Sequence, residues 1–238
     1  KESHILAANL DQVLLLVTIS HPVTSTTFID RFLATAEAYR VPTVLLFNKV
    51  DLLDEEEQTY LQTLCRIYEA MGYTTVSLSA RNLTDTPEQF AALRRLLKGK
   101  VTLLSGNSGV GKSTLLNAVF GETLTRTGII SSAHDKGMHT TTFSEMYPLP
   151  FDNEDHSGWV IDTPGIKGFG AVAMEKEEVA HYFRDIFRVG RNCKYGNCLH
   201  TGEPGCAVYQ AVVDGEIATS RYESYLSLLG DCEERKYR

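Results

Sequence analysis

Short apolar runs, each closed by polar residues, glycine or proline, recur through the first half of this chain. Residues 11–19 form one such run and predict a buried strand. Residues 28–39 instead carry Phe28, Phe32, Leu33 and Ala36 at helical spacing, so a helix follows. Pro42 then introduces a strand over 44–47. A second helix is expected over 53–71, with Asp54 as its cap and Gly72 as its terminator. Residues 75–78 predict a short strand, Pro87 opens a helix over 88–97, and 101–104 make a further strand. Strands alternating with helices imply an α/β fold with a mostly parallel sheet, covered on both faces.

The pattern changes twice beyond that point. A helix is expected over 114–120, whereas 121–142 shows no sustained period and is expected to be mobile. Residues 142–149 and 159–161 predict two strands forming an antiparallel edge, with Asn153, Glu154 and Asp155 in the turn between them. From Glu175 the chain reads as helix (175–189), a cysteine-rich loop, and shorter helices over 207–213 and 220–229. A domain boundary is therefore placed at 174, giving one domain over 1–174 and a small helical one over 175–238.

A chain of 238 residues suits that division. Hydrophobic content of 43% and charged content of 22% fit a globular protein, and no apolar stretch is long enough to cross a bilayer. The formal net charge of -7 disfavours wholesale, charge-driven binding to nucleic acid. Lys176, Arg184, Arg188, Arg191, Lys194, Arg235, Lys236 and Arg238 still offer local positive charge, either an RNA-facing surface or scattered solubilising charge. Five cysteines are an odd count, and three of them cluster with a histidine, which points to a reducing compartment and a local metal site.

The chemistry sits at the ends of the strands. Gly106, Asn107, Ser108, Gly109, Val110, Gly111, Lys112 and Ser113, followed by Thr114, form a complete phosphate-binding loop between a strand and a helix. Its glycines let backbone amides turn around an anion, Lys112 reaches the β- and γ-phosphates, and Ser113 can ligate magnesium. Asp162, Thr163, Pro164 and Gly165 end the later strand; Asp162 can approach magnesium directly or through water, and Gly165 can meet a γ-phosphate. Asn48, Lys49, Val50 and Asp51 resemble the guanine-reading motif of GTPases. There Asp51 accepts from the base N1 and exocyclic amine, Asn48 braces the site, and the Lys49 stem covers the base plane. Ser79 and Ala80 resemble the supporting loop that offers a backbone amide to the guanine carbonyl. The base-reading element precedes the phosphate loop, the reverse of ordinary small GTPases, so the order indicates a circularly permuted GTPase binding GTP and GDP.

The first switch is expected between the loop helix and Asp162. Thr141, preferred over Thr140, is the candidate magnesium ligand there. Ile166 occupies the place where many related enzymes carry a water-positioning glutamine, and it cannot orient water. His139 is the candidate replacement, with phosphate or RNA contact and a plain loop role as alternatives. Slow unassisted turnover follows.

Cys193, Cys198, His200 and Cys206 can close a tetrahedral shell around one zinc ion, and four protein ligands leave no open position for a reacting water. The zinc is read as structural. A zinc hydrolase is disfavoured on that ground, and an ATPase because adenine would leave the Asp51 carboxylate poorly satisfied.

Taken together, residues 48–51, 79–80, 106–113, 137–142, 162–165 and 193–206 resemble the bacterial ribosome small-subunit-dependent GTPase family, in that family's permuted order. The resemblance implies a cytoplasmic factor in late maturation of the 30S subunit, contact with 16S rRNA, and GTP hydrolysis stimulated by the particle. It also implies an oligonucleotide-binding β-barrel upstream of Lys1, and a catalytic role for His139. Monomeric behaviour and no membrane contact are expected. By the same analogy, a γ-phosphate contact through Gly165 would bias how the zinc module docks on RNA. A permuted GTPase serving another assembly partner, or a GTP-dependent binding switch with little catalysis, is the rival reading.

Overall fold

The computed structural model describes residues 9–121, 145–151, 158–162 and 174–235. β1 (Gln12–Val17) and β2 (Thr43–Phe47) are buried at every position. Such runs suit the centre of a parallel sheet, where both faces are covered. With β3 (Thr74–Ser77), β4 (Val101–Ser105), β5 (Glu145–Pro148) and β6 (Trp159–Asp162), the strand order is β3-β2-β1-β4-β6-β5. Every pairing is parallel except β5 with β6. The expected antiparallel edge is therefore present.

Because strand side chains alternate, β1, β2, β4 and β6 each feed two cores. Leu14, Leu16, Val44, Leu46 and Leu104 face α3 (Pro87–Leu97) and α4 (Lys112–Phe120), packing with Leu93, Leu97, Leu115 and Val119. Val13, Leu15, Val17, Leu45, Phe47 and Leu103 face the other way, onto Ile29 and Leu33 of α1 (Thr26–Ala38) and Leu61 and Leu64 of α2 (Glu55–Ala70). α2 starts where its sequence says it should: the Asp54 side chain accepts from the Glu57 amide, and Glu57 accepts from the Asp54 amide. The expected mobile segment 121–142 falls, apart from Gly121, outside the described residues, as does the turn at 153–155.

A third core lies beyond Met174. It gathers Val179, Phe183, Ile186, Val208, Ile217, Tyr225 and Leu229 from α5 (Arg184–Gly190), α6 (Ala207–Val213), α7 (Thr219–Arg235) and the segment before them, together with Ala34 of α1. Here the expectation of one helix over 175–189 is corrected. A 3-10 turn spans Val179–Tyr182, Phe183 is extended (φ -111°, ψ 99°), and only then does α5 begin. The break has a packing cause. Phe183 is fully buried, its ring 5.5 Å from that of Tyr225, with the Arg221 guanidinium 4.7 Å over its face. The kink directs Asp185 inward to Arg221 and Arg184 outward to the ends of α1 and α2. α7, expected over 220–229, continues to Arg235.

Arg221 is the least anticipated residue of the core. It is 1% exposed and bonds Asp30 of α1 at 2.8 Å and Asp185 of α5 at 2.9 Å. Asp30 also accepts from the Tyr68 hydroxyl of α2 at 2.9 Å. Burial alone would lower the guanidinium's pKa, but the two carboxylates outweigh it and hold the value above its ordinary range. Arg184, expected to supply positive surface, is instead tied down: it pairs with Glu37 at 2.7 Å, donates to the carbonyls of Met71 and Gly72, and stacks 4.1 Å over Tyr73.

Removing one member of a buried ion cluster strands the others. Arg221→Ala is expected to lower the unfolding free energy by about 3–5 kcal/mol. Arg31→Ala, which breaks the half-exposed pair with Asp231 across the same helix contact, should cost less than about 1 kcal/mol. Denaturant titration of the two variants checks the contrast.

Candidate nucleotide site and metal centre

The phosphate loop leaves β4 at Ser105 and enters α4 at Lys112. Two of its glycines are required by neighbours. Gly106 (φ 150°) would place a Cβ 2.5 Å from the Leu16 carbonyl, and Gly111 (φ 101°) would place one 2.3 Å from Asn48 Nδ2. Val110, between them, is fully buried and anchors the loop in the core. The Lys112 ammonium donates to the Gly106 and Asn107 carbonyls. Burial lowers its pKa, while the Asp162 charge works in the opposite sense. Asp162 pairs in register with Leu104 on the adjacent strand, so its carboxylate stands beside the loop at the carboxyl ends of β4 and β6.

Asn48 joins this loop to the rest of the sheet end. Its backbone N–H bonds the Val17 carbonyl at 2.9 Å. Its side chain, in a residue only 3% exposed, donates from Nδ2 to the Val110 carbonyl at 2.8 Å and accepts at Oδ1 from the Ala80 amide at 2.8 Å. Loops after β2, β3 and β4 thus meet on one carboxamide. The Ala80 N–H, expected in the segment that offers an amide to a base, is committed to Asn48. Lys49 adopts a left-handed backbone (φ 63°), and its ammonium donates to the carbonyls of His21 and Gly109. Asp51 lies exposed in the 3-10 turn Val50–Leu52, at the rim of the same sheet end. His139, Thr140, Thr141 and Gly165 lie outside the described residues. The His21 segment was not expected from sequence, where it reads as an ordinary strand-to-helix connection.

The four expected metal ligands converge. The donor atoms of Cys193, Cys198, His200 and Cys206 all lie within 4.8 Å of one another. His200 Nδ1 is 3.5 Å from Cys193 Sγ and 3.6 Å from Cys206 Sγ. Burial lowers the imidazole's pKa, which favours the neutral form a metal needs, and pushes the Cys198 thiol up to about 12. The loop is held from outside by groups sequence reasoning did not name. Glu203 accepts from the Leu199 and Thr201 amides, both at 2.7 Å, bracketing His200, which is left-handed at φ 59°. Tyr222 and Tyr225 of α7 donate to the His200 and Leu199 carbonyls at 2.6 and 2.7 Å. An acidic residue between two ligands in a glycine-rich stretch is the one signal for Glu203 that sequence carries.

The family model for the RsgA GTPase matches residues 1–172. The chain belongs to the RsgA GTPase family. It is 59% identical over 238 residues to the small ribosomal subunit biogenesis GTPase RsgA of Bacteroides fragilis, covering all of this chain and 74% of that one. The corresponding RsgA of Porphyromonas gingivalis is 54% identical over the same span and share. Among solved structures, YjeQ from Thermotoga maritima superposes with a TM-score of 0.73 at 38% identity, over 94% of this chain and 72% of that one. YloQ, described as a circularly permuted GTPase, gives 0.75 at 30% identity, over 97% and 70%. The fold is that of the permuted RsgA-type GTPases, and the chain is a GTP hydrolase. Among the described residues, no helix is long and apolar enough to cross a membrane.

Gly111→Ala tests the loop's dependence on its neighbour. A methyl group there collides with Asn48 Nδ2 in a backbone conformation that alanine resists, so nucleotide affinity is expected to fall by at least about a hundredfold, or about 2.7 kcal/mol. Equilibrium binding of GDP reads it.

Proposed function

We propose that this chain hydrolyses GTP in late maturation of the small ribosomal subunit, in the cytoplasm, as a monomer in contact with 16S rRNA. The observation that carries the nucleotide part is the Asn48 carboxamide, which joins the base-reading segment to the phosphate loop. The ribosomal part is supported by the names of relatives at 59% and 54% identity.

In this reading the amides of residues 106–114 cradle the phosphates at the start of α4, where the helix end favours anions. Lys112 leaves the Gly106 and Asn107 carbonyls for the β- and γ-phosphates and balances charge that develops in transfer. Asp51 accepts from guanine N1 and its exocyclic amine. Asn48 keeps the loops at the right spacing, Lys49 lies along the base plane, and Ser79 and Ala80 back the base edge. Ser113, Thr141 (or Thr140) and Asp162 would hold magnesium, which screens the phosphate oxygens when bound. The placement of Asp162 beside the loop fits that ion. Gly165 meets the γ-phosphate, and His139 orients the attacking water once the particle engages the first switch.

Three thiolates and one imidazole within 4.8 Å fit zinc, and a full protein shell makes it structural. Residues 1–174 form the GTPase domain and 175–238 the metal-bearing module. The metal-free thiols of Cys198 and Cys206 are held protonated by burial, so loading must displace protons. Adding zinc to chelated protein at neutral pH in weak buffer should release protons in proportion to bound metal; a pH indicator reads the release, and no release would exclude thiolate ligation.

GTP turnover by the full-length protein, with and without purified 30S subunits, tests the main reading. Strong stimulation that disappears in Lys112→Ala is the expected result. Unstimulated but measurable GTP binding and turnover would assign the same chemistry to a different assembly partner.

A further inference from the structure

Lys49 is held by more than the phosphate loop. Its ammonium donates to the Gly109 carbonyl at 2.8 Å and also to the carbonyl of His21, in the turn that follows β1. We propose that this turn, residues 18–24, is a further nucleotide-positioning element, which acts through Lys49 and sets how tightly GTP and GDP are held. The proposal rests on the GTPase reading and adds to it a third wall of the site, remote in sequence from both nucleotide motifs.

The turn is closed by hydrogen bonds across its base. The Thr24 amide bonds the Thr18 carbonyl at 2.9 Å, and the Thr18 amide bonds Thr24 Oγ1 at 3.1 Å. The Thr18 hydroxyl donates to the Pro22 carbonyl. Both threonines are buried, while His21, Pro22 and Val23 at the tip are exposed. His21 takes a left-handed backbone (φ 56°), a conformation uncommon outside glycine but less so for histidine, asparagine and aspartate. Pro22 lies against the phosphate loop, its Cδ 3.5 Å from where a Gly109 Cβ would stand. The turn leaves the strand that touches both motifs: the Leu16 carbonyl crowds Gly106, and the Val17 carbonyl accepts from Asn48.

These contacts have a thermodynamic consequence. A lysine must lose side-chain freedom to lie along a base, and that ordering weakens binding. Here two backbone carbonyls order it beforehand through charge-assisted bonds. GTP and GDP share the base and ribose that Lys49 faces, so the benefit is the same for both and is the same in ground and transition states. Such uniform binding moves KM and leaves kcat alone.

The test uses the whole chain and four variants: Thr24→Val, Thr24→Ser, Lys49→Met and the Thr24→Val/Lys49→Met double. A fluorescent N-methylanthraniloyl-GDP reports affinity, and phosphate release reports turnover. Thr24→Val is expected to weaken GDP binding and raise KM for GTP by about tenfold each, with kcat at saturation within about twofold of the parent. Thr24→Ser, which keeps the hydroxyl acceptor, should restore parental affinity. In the Lys49→Met background the Thr24→Val change should add less than about twofold, because the residue through which the turn acts is gone. Equal losses with and without Lys49, or a fall in kcat, would mean that the substitution acts by general loosening, and the proposal fails. Should Thr24→Val not fold, Pro22→Gly at the exposed tip carries the test; unchanged affinity there overturns the proposal too. A parent protein that binds no guanine nucleotide would instead remove the GTPase reading itself.

Discussion

The Asn48 side chain carries a donor group and an acceptor group, and the fold uses both in a place water does not reach. Its amide nitrogen holds the Val110 carbonyl of the phosphate loop, and its oxygen holds the Ala80 amide of the loop after β3. No other side chain of that length supplies the same pair: aspartate lacks the donor, and leucine lacks both. Leaving either partner buried and unpaired would cost roughly 1–3 kcal/mol. The constraint spreads outward. Gly111 must lack a Cβ because the carboxamide occupies the space, and β2 must end where the Val17 carbonyl can receive the Asn48 amide. The permuted chain order leaves this untouched, since the contact is made in space between strand ends that the sheet aligns.

A second constraint fixes the C-terminal module to that sheet. Arg221, Tyr222 and Tyr225 lie within little more than one turn of α7. The first is buried against Asp30 and Asp185, and the other two hold the backbone on which His200 sits. One helix face therefore ties the metal loop at one edge to α1 at the other. Asp30 carries the tie further, to Tyr68 on α2. Charged groups out of water are worth keeping only when they are answered; here both carboxylates meet the one guanidinium directly, while burial still holds the Asp30 pKa above its ordinary value.

Local patterns explain what could be read in advance. β1, β2 and β4 are apolar on both faces and announce themselves, as do the Asp54 cap, the glycine spacing of residues 106–113 and the four Cys and His side chains that converge. The sequence misleads where a residue's role depends on a partner far along the chain. Arg221 and Arg184 look like solvated charge because composition treats arginine as surface; burial of one and the fastening of the other follow from Asp30, Asp185, Glu37 and Tyr73, none of them a neighbour in sequence beyond Asp185 to Arg184. The segment 175–189 has apolar residues at helical spacing, yet an α-helix forms only from Arg184, after a 3-10 turn and the extended Phe183, whose ring packs beside Tyr225. The Lys49 anchor at His21 was not legible, since nothing marks residues 18–24 as other than a connection.

The two constraints together decide how a change at the phosphates can reach the metal module. β6 ends at Asp162 beside the phosphate loop, and the chain re-enters the described fold at Met174, already inside the third core. If that covalent link were the module's sole attachment, the module could pivot about it. It is not: the Arg221 cluster and the Arg31–Asp231 pair hold α7 to α1 from the far side, and Arg184 holds α5 to the ends of α1 and α2. Pivoting would have to open the third core where Ala34 of α1 packs into it, as well as separate the buried ion cluster. The module is therefore packed against α1 as well as joined to the sheet through the chain. A change at the phosphates that moved the module would have to disturb these contacts, not only the covalent link that follows Asp162.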